Sequence, residues 1–103
     1  MDNELCIRLL NVEIEAKGQI QLVVHGDSML PSLKDGDTIK VEKCNEYKIS
    51  DVVAYFVVIE GKLKIIVHRV IFARKNYVLT KGDNNDFVDP IKVVYDMILG
   101  KVK

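Results

Sequence analysis

Residues 23–41 read VVHGDSMLPSLKDGDTIKV, a strand-like run that turns at Gly-Asp-Ser and resumes as a second strand after another Gly-Asp. Ser28 lies in a constrained turn, because the ring of Pro31 fixes its own backbone dihedral and restricts Leu30. A turn in solvent has no need of the apolar Met29 and Leu30, whereas a substrate groove does. Serines in turns are common, so this stretch fits both an ordinary surface turn and a nucleophile.

One helix is expected before the strands. Residues 3–17 carry apolar side chains at helical spacing, with Leu5, Leu9 and Val12 near one face. Gly18 is placed to end this helix as a C-terminal cap. The apolar face is widened by three further residues, Cys6, Leu10 and Ile14.

The rest of the chain has the alternating or β-branched pattern of short strands, separated by turns that carry Gly, Asp, Asn or Pro. We therefore predict a mainly β fold with one N-terminal α-helix, in which the strands form a small coiled antiparallel sheet or a partly open barrel. The expected strands are 19–25, 37–43, 51–59, 63–74, 76–82 and 97–102.

Length and charge limit the possible functions. The 103 residues predict a single domain over 1–103, with the helix in 1–18 and a β-rich core in 19–103. Fifteen basic and fifteen acidic residues give no net charge, which argues against a nucleic-acid partner. The longest apolar run, 52–59, is too short for a membrane span of about 20 residues. The acidic N-terminus is no secretory signal, so we expect a soluble cytoplasmic protein without an integral membrane segment. Association with a membrane surface stays open, as does the oligomeric state.

No metal or cofactor is expected. Cys6 and Cys44 have no metal-ligand spacing and are expected to be reduced thiols. The loop TKGDNNDFVDP at 80–90 is rich in oxygen donors, but it matches no complete calcium-binding loop and lacks the closing Glu.

A serine becomes a nucleophile when a neighbouring base takes its proton, and the chain has two histidines. His25 ends the strand before Ser28, where it would have to fold back over the turn to reach the hydroxyl. His68 lies inside an apolar run, where it is either a core residue or a base. The loop at 80–90 is either a solvated turn or the source of a carboxylate that orients the histidine, with Asp83 and Asp89 as candidates.

Several blocks of the sequence, in order, closely resemble the signal peptidase I superfamily. The blocks are GDSMLPSL, GD, HRV, TKGDNN, a following Asp and GKV, which together cover roughly residues 23–102. Bacterial members of that family have a lysine base followed by Arg, whereas this chain has His68 followed by Arg69. In this respect it resembles the endoplasmic-reticulum and archaeal members, which use histidine. The fold implied is the one that signal peptidases share with LexA-type repressors.

The resemblance implies a serine peptidase and assigns roles to individual residues. Ser28 is expected to be the nucleophile, His68 the general base and Asp89 the acid that orients the base. Asp83 is expected to be a second important acid that acts as a structural partner of the loop. The backbone N–H of Ser28 is the expected oxyanion donor, since Gly26 stands where some members supply a hydroxyl.

The expected partner is a peptide or protein substrate bound as an extended strand. Candidate edge strands for this pairing are 19–25 and 51–59. The expected substrate-binding residues are Gly26, Asp27, Met29 and Pro31.

The sequence also departs from the family. A short helix that follows Met1 stands where family members carry a membrane anchor, and we expect a natural soluble form that trims a leader from a small peptide. Two alternatives stay open. One is a non-catalytic module that binds a peptide or protein on the same fold. The other is a self-cleaving regulator of the LexA type, although such domains use a lysine base and follow a DNA-binding helix-turn-helix.

Overall fold

A computed structural model describes residues 2–103, and Met1, which we placed in the N-terminal helical segment, lies outside them. Residues 2–103 form a mainly β fold with one α-helix, as predicted. The elements are α1 (Asn3–Lys17), β1 (Gln19–Val23), β2 (Thr38–Glu42), β3 (Val52–Ile59), β4 (Lys62–Ala73), β5 (Tyr77–Lys81), β6 (Val93–Val94), a 3₁₀ turn (Tyr95–Met97) and β7 (Ile98–Val102).

The ends of α1 follow from their capping residues. The side chain of Asp2 accepts a hydrogen bond from the backbone N–H of Glu4. At the other end Gly18 takes a left-handed conformation, with φ of 75°, and its N–H donates to the carbonyl of Ile14. The predicted cap at Gly18 is confirmed. No helix within residues 2–103 is long and apolar enough to cross a membrane.

The buried face of α1 differs from the predicted one. Ile14 is buried and Leu10 packs beside it, whereas Leu5, Leu9 and Val12 are about half exposed or more. Of the predicted apolar face, the part formed by Leu10 and Ile14 packs against the sheet, and the part formed by Leu5, Leu9 and Val12 does not. The helix carries apolar side chains on two sides, and its packing against β1 and β7 selects the side of Leu10 and Ile14.

The strands form one antiparallel sheet in the order β1-β2-β7-β3-β4-β5-β6. The sheet is not closed, and β1 and β6 are its edges. The predicted edge position of 19–25 is confirmed for β1. The predicted edge position of 51–59 is wrong, because β7 pairs with β3 on the side away from β4. The short β6 and the 3₁₀ turn were not predicted.

Alternation along β3 separates two groups of core residues. Val53 and Tyr55 belong to one buried cluster, and Ala54 belongs to the other, which also holds Ile14 of the helix. His68 on β4 lies opposite Val53 in the register, so it shares the face of Val53 and Tyr55. We call this side the site face. Its buried hydrophobic residues are Tyr47, Val53, Tyr55, Val70, Val78, Val93 and Ile98.

Candidate active site

Ser28 lies in the turn that follows β1, and the neighbouring residues hold this turn in place. Gly26 has φ of 83°, a conformation that glycine adopts without strain, and its N–H donates to Oδ1 of Asp35 at 2.8 Å. Met29 is buried, and its carbonyl accepts a hydrogen bond from the N–H of Leu33 at 2.9 Å. The turn is thus anchored on both sides of the half-buried Ser28.

His68 connects the serine to a carboxylate. Its Nε2 lies 3.1 Å from Oγ of Ser28, and its Nδ1 lies 2.6 Å from Oδ2 of Asp89. His68 as a whole residue is 8% exposed, so this histidine within an apolar run is buried. Both of its nitrogens nevertheless face polar side chains, which is the geometry required of a base that a third group orients.

Two hydroxyl groups complete the surroundings of Asp89. Oγ1 of Thr80 lies 2.7 Å from Oδ2 of Asp89, and the hydroxyl of Tyr55 lies 3.2 Å from the same oxygen. The backbone N–H of Asp89 donates to the carbonyl of Thr80 at 2.8 Å. Burial raises the pKa of Tyr55 to about 12, so this phenol keeps its proton at neutral pH.

Asp83 has different partners. Its two carboxylate oxygens accept hydrogen bonds from Nε and Nη2 of Arg69, each at 2.8 Å, and the hydroxyl of Ser32 donates to Oδ2 at 2.7 Å. Mainly because Arg69 donates to it, the pKa of Asp83 is lowered to about 2. The structure therefore brings Asp89, and not Asp83, to His68.

The beginning of the acidic loop is joined to the turn that carries the serine. The backbone N–H of Asn84 donates to the carbonyl of Ser28 at 2.8 Å, and its side-chain amide donates to the carbonyl of Asp27 at 3.1 Å. A Cβ atom on Gly82 would lie 2.7 Å from the same Ser28 carbonyl, so the glycine allows this close approach. The N–H of Asp83 also donates to the sulfur of Met29 at 3.4 Å.

A groove of about 530 Å³ lies beside the serine and histidine, with walls from β1 and β4. Met29 lines it, as expected of a substrate-binding residue, whereas Gly26, Asp27 and Pro31 are exposed and lie outside its lining. His25 lines the groove but makes no hydrogen bond to Ser28 within residues 2–103. The lining residues are Leu22, Val23, Val24, His25, Ser28, Met29, Leu63, Ile65, Ile66, Val67 and His68.

Sequence reasoning missed Tyr55 and Thr80. Tyr55 lies inside the apolar run of β3, where the sequence pattern alone indicates only a buried aromatic residue. The available signal was chemical, because a buried tyrosine hydroxyl usually needs a hydrogen-bond partner. Thr80 is the first residue of the segment 80–90, but it lies in β5, where a threonine side chain is inconspicuous.

A hydroxyl, an imidazole and a carboxylate aligned at these distances are the parts that Ser–His–Asp hydrolases use. Comparison with known proteins gives the family. The chain belongs to the Peptidase S24-like family, whose model matches residues 4–103.

The chain is also similar to proteins named signal peptidase complex catalytic subunit SEC11, from the Saccharomyces cerevisiae strains YJM789, RM11-1a and JAY291. Each is 43% identical over 70 residues, which cover 62% of this chain and 41% of the relative. The chain thus spans less than half the length of these relatives. The resemblance to signal peptidases predicted from the sequence is confirmed, and the family supports peptidase function in general.

Proposed function

We propose that the protein is a serine endopeptidase that cuts an extended peptide with Ser28, His68 and Asp89. The observation that carries this proposal is the continuous line of polar contacts, with 3.1 Å from Oγ of Ser28 to Nε2 of His68 and 2.6 Å from Nδ1 to Oδ2 of Asp89. The family supports peptide hydrolysis as the reaction.

In the proposed reaction, Oγ of Ser28 attacks the carbonyl carbon of the scissile bond while its proton moves to Nε2 of His68. The carboxylate of Asp89 keeps the other proton of the ring on Nδ1 and stabilises the imidazolium that forms. His68 then gives its proton to the departing amine, which leaves an ester on Ser28. Water hydrolyses that ester with His68 again acting as the base, and the free hydroxyl is restored.

The developing oxyanion needs a donor, and the backbone N–H of Ser28 is suitably free. Within residues 2–103 this N–H has no hydrogen-bond partner, although the carbonyl of the same residue accepts from Asn84. A donor that is already in position stabilises charge without reorganisation during the reaction. We therefore assign the N–H of Ser28 to the oxyanion site, where the loop at Asn84 helps to fix its orientation.

The groove beside Ser28 supports a proposal for how the substrate binds. Within residues 2–103, β1 has no neighbouring strand on its outer side, so its backbone groups there are available to an added peptide strand. The walls are built mainly from aliphatic side chains such as Leu22, Val24 and Ile66. We propose that the substrate pairs with β1 and places apolar side chains in the groove, so that its scissile carbonyl reaches Ser28.

The test is cleavage of a defined pool of synthetic peptides of varied sequence, read by mass spectrometry. Wild type should produce new termini at specific bonds, and Ser28→Ala should produce none. Ser32→Ala is the matched control, because it removes a serine hydroxyl from the same turn without touching His68, and it should still cut.

Two results would overturn the proposal. A folded wild type that retains peptides without cutting them would favour a binding module. Cutting confined to the chain itself would favour a self-cleaving regulator.

A further inference from the structure

One oxygen atom of the site receives three side-chain contacts. Oδ2 of Asp89 lies 2.6 Å from Nδ1 of His68, 2.7 Å from Oγ1 of Thr80 and 3.2 Å from the hydroxyl of Tyr55. Tyr55 and Thr80 are both completely buried, and their hydroxyls are 3.3 Å apart. Water therefore does not compete for these groups, and each hydroxyl depends on its protein partners.

The number of protons constrains this arrangement, because each hydroxyl has one proton to donate. The short contact from Thr80 to Asp89 takes the proton of Thr80. The proton of Tyr55 is then available to Asp89, or to the oxygen of Thr80 as a link to the same carboxylate. Burial raises the pKa of Tyr55 to about 12, so the phenol is a donor throughout the neutral range.

The sheet itself positions these donors. In the strand order, β3 and β5 flank β4 on either side, so Tyr55, His68 and Thr80 come from three adjacent strands. His68 is opposite Val53 in the register and Thr80 is opposite Val70, which places the three side chains on the site face. Asp89, in contrast, lies in a loop outside any strand, and the two hydroxyls connect its carboxylate to the rigid part of the fold.

We infer that Tyr55 and Thr80 are positioning residues that keep Oδ2 of Asp89 directed at Nδ1 of His68. The inference rests on the function proposed above. Without these donors the carboxylate can rotate about its side-chain bonds, and His68 loses the partner that keeps a proton on Nδ1. Neither residue touches the reacting atoms, so each acts through Asp89.

The experiment compares four variants of the full chain. Tyr55→Phe and Thr80→Val each remove one donor with little change of shape, and Thr80→Ser restores the hydroxyl. Tyr47→Phe is the control, because it removes another buried hydroxyl of the same cluster that bonds the carbonyl of Cys44 and not Asp89.

Two measurements are made on each variant. The first is the far-downfield proton resonance expected in the NMR spectrum for Nδ1–H of His68 in its short contact with Asp89. The second is kcat and KM on the best-cut peptide of the pool. Tyr55→Phe and Thr80→Val should weaken or displace the resonance and lower kcat by about 10- to 100-fold with KM unchanged. Thr80→Ser and Tyr47→Phe should keep both readouts near wild type.

Other results overturn the inference. If Tyr55→Phe and Thr80→Val keep the resonance and kcat and lose only thermal stability, the hydroxyls are merely structural. A wild type without the resonance would remove the short contact on which the argument depends. A wild type that shows the resonance but cuts no peptide would remove the proposed function alone, and the resonance in the variants would still decide whether the hydroxyls orient Asp89.

Discussion

Asp83 and Asp89 lie in the same loop and have opposite environments. The carboxylate of Asp89 contacts the ring of His68, whereas the carboxylate of Asp83 accepts hydrogen bonds from Arg69, the next residue on β4. Because successive side chains of a strand point to opposite faces, the two neighbours receive one carboxylate each on different sides of the sheet. A single loop can therefore supply an acid for chemistry and an acid for structure.

The two ends of the loop also hold different parts of the site. The Asp83 end is bonded to the turn around Ser28, through Ser32 and through Asn84. The Asp89 end contacts His68, the proposed base. The loop is therefore bonded both to the turn of Ser28 and to His68, and we expect substitutions at its two ends to affect stability and catalysis separately.

The largest effect is expected from the base. His68→Ala should lower turnover by about 10⁴-fold or more, since the serine then has no group to take its proton. His68→Lys should recover little, because a long flexible amine lacks the shaped, dry pocket that lowers its pKa. Cleavage of the best-cut peptide measures both variants. A His68→Ala variant within tenfold of wild type would mean that the contact with Ser28 is not catalytic.

The pH dependence of turnover should also distinguish His68 from Arg69. A histidine base accepts the serine proton only in its neutral form, so turnover should decrease as the pH is lowered from 8 to 5. Arg69 stays charged throughout this range and contributes no transition. Initial rates between pH 5 and pH 8 provide the measurement, and a flat profile would contradict a histidine base.

The ion pair between Asp83 and Arg69 should affect how the free energy of unfolding changes at low pH. The pKa of Asp83 in the folded state is about 2, below its unfolded value of about 3.9, so the ion pair stabilises the fold above pH 4 and is lost as pH falls toward 2. Urea unfolding at a series of pH values should show a steeper loss of stability for wild type than for Asp83→Asn in this window. Parallel curves would show that the pair with Arg69 contributes no pH-dependent stability.

The smallest effect is expected at His25. This residue is exposed on the groove and makes no bond to Ser28 within residues 2–103, so His25→Ala should change turnover by about twofold at most. Peptide kinetics would check this. A loss comparable to that of His68→Ala would reverse the assignment of the base.

Much of the fold was predictable because local rules decide it. The caps of α1 and the alternating strands follow from residue type and spacing, as Gly18 illustrates. The buried face of α1 and the position of β7 between β2 and β3 depend on packing between segments distant in sequence, which periodicity does not encode. The two-residue β6 is too short to show any period.

Some residues of the candidate site were likewise predictable from the sequence, and others were not. Ser28, His68 and Asp89 were predictable because they lie in recognisable blocks, and the structure brings them together. Tyr55 and Thr80 could not be found in this manner, since each is an unremarkable strand residue until the sheet places it beside Asp89. The residues alone left Asp83 and Asp89 as alternatives, the resemblance favoured Asp89, and the structure brings Asp89 to His68 and Asp83 to Arg69.

The most direct test of this division of roles is a paired measurement on Asp89→Asn and Asp83→Asn. For each variant, kcat on the best-cut peptide and the free energy of unfolding in urea at pH 7 are determined. We expect Asp89→Asn to lose about 10⁴-fold in kcat while it remains folded. We expect Asp83→Asn to lose about 1–3 kcal/mol of stability and at most about tenfold in kcat. An Asp89→Asn variant as fast as wild type, or an Asp83→Asn variant that is equally stable but inactive, would contradict the account.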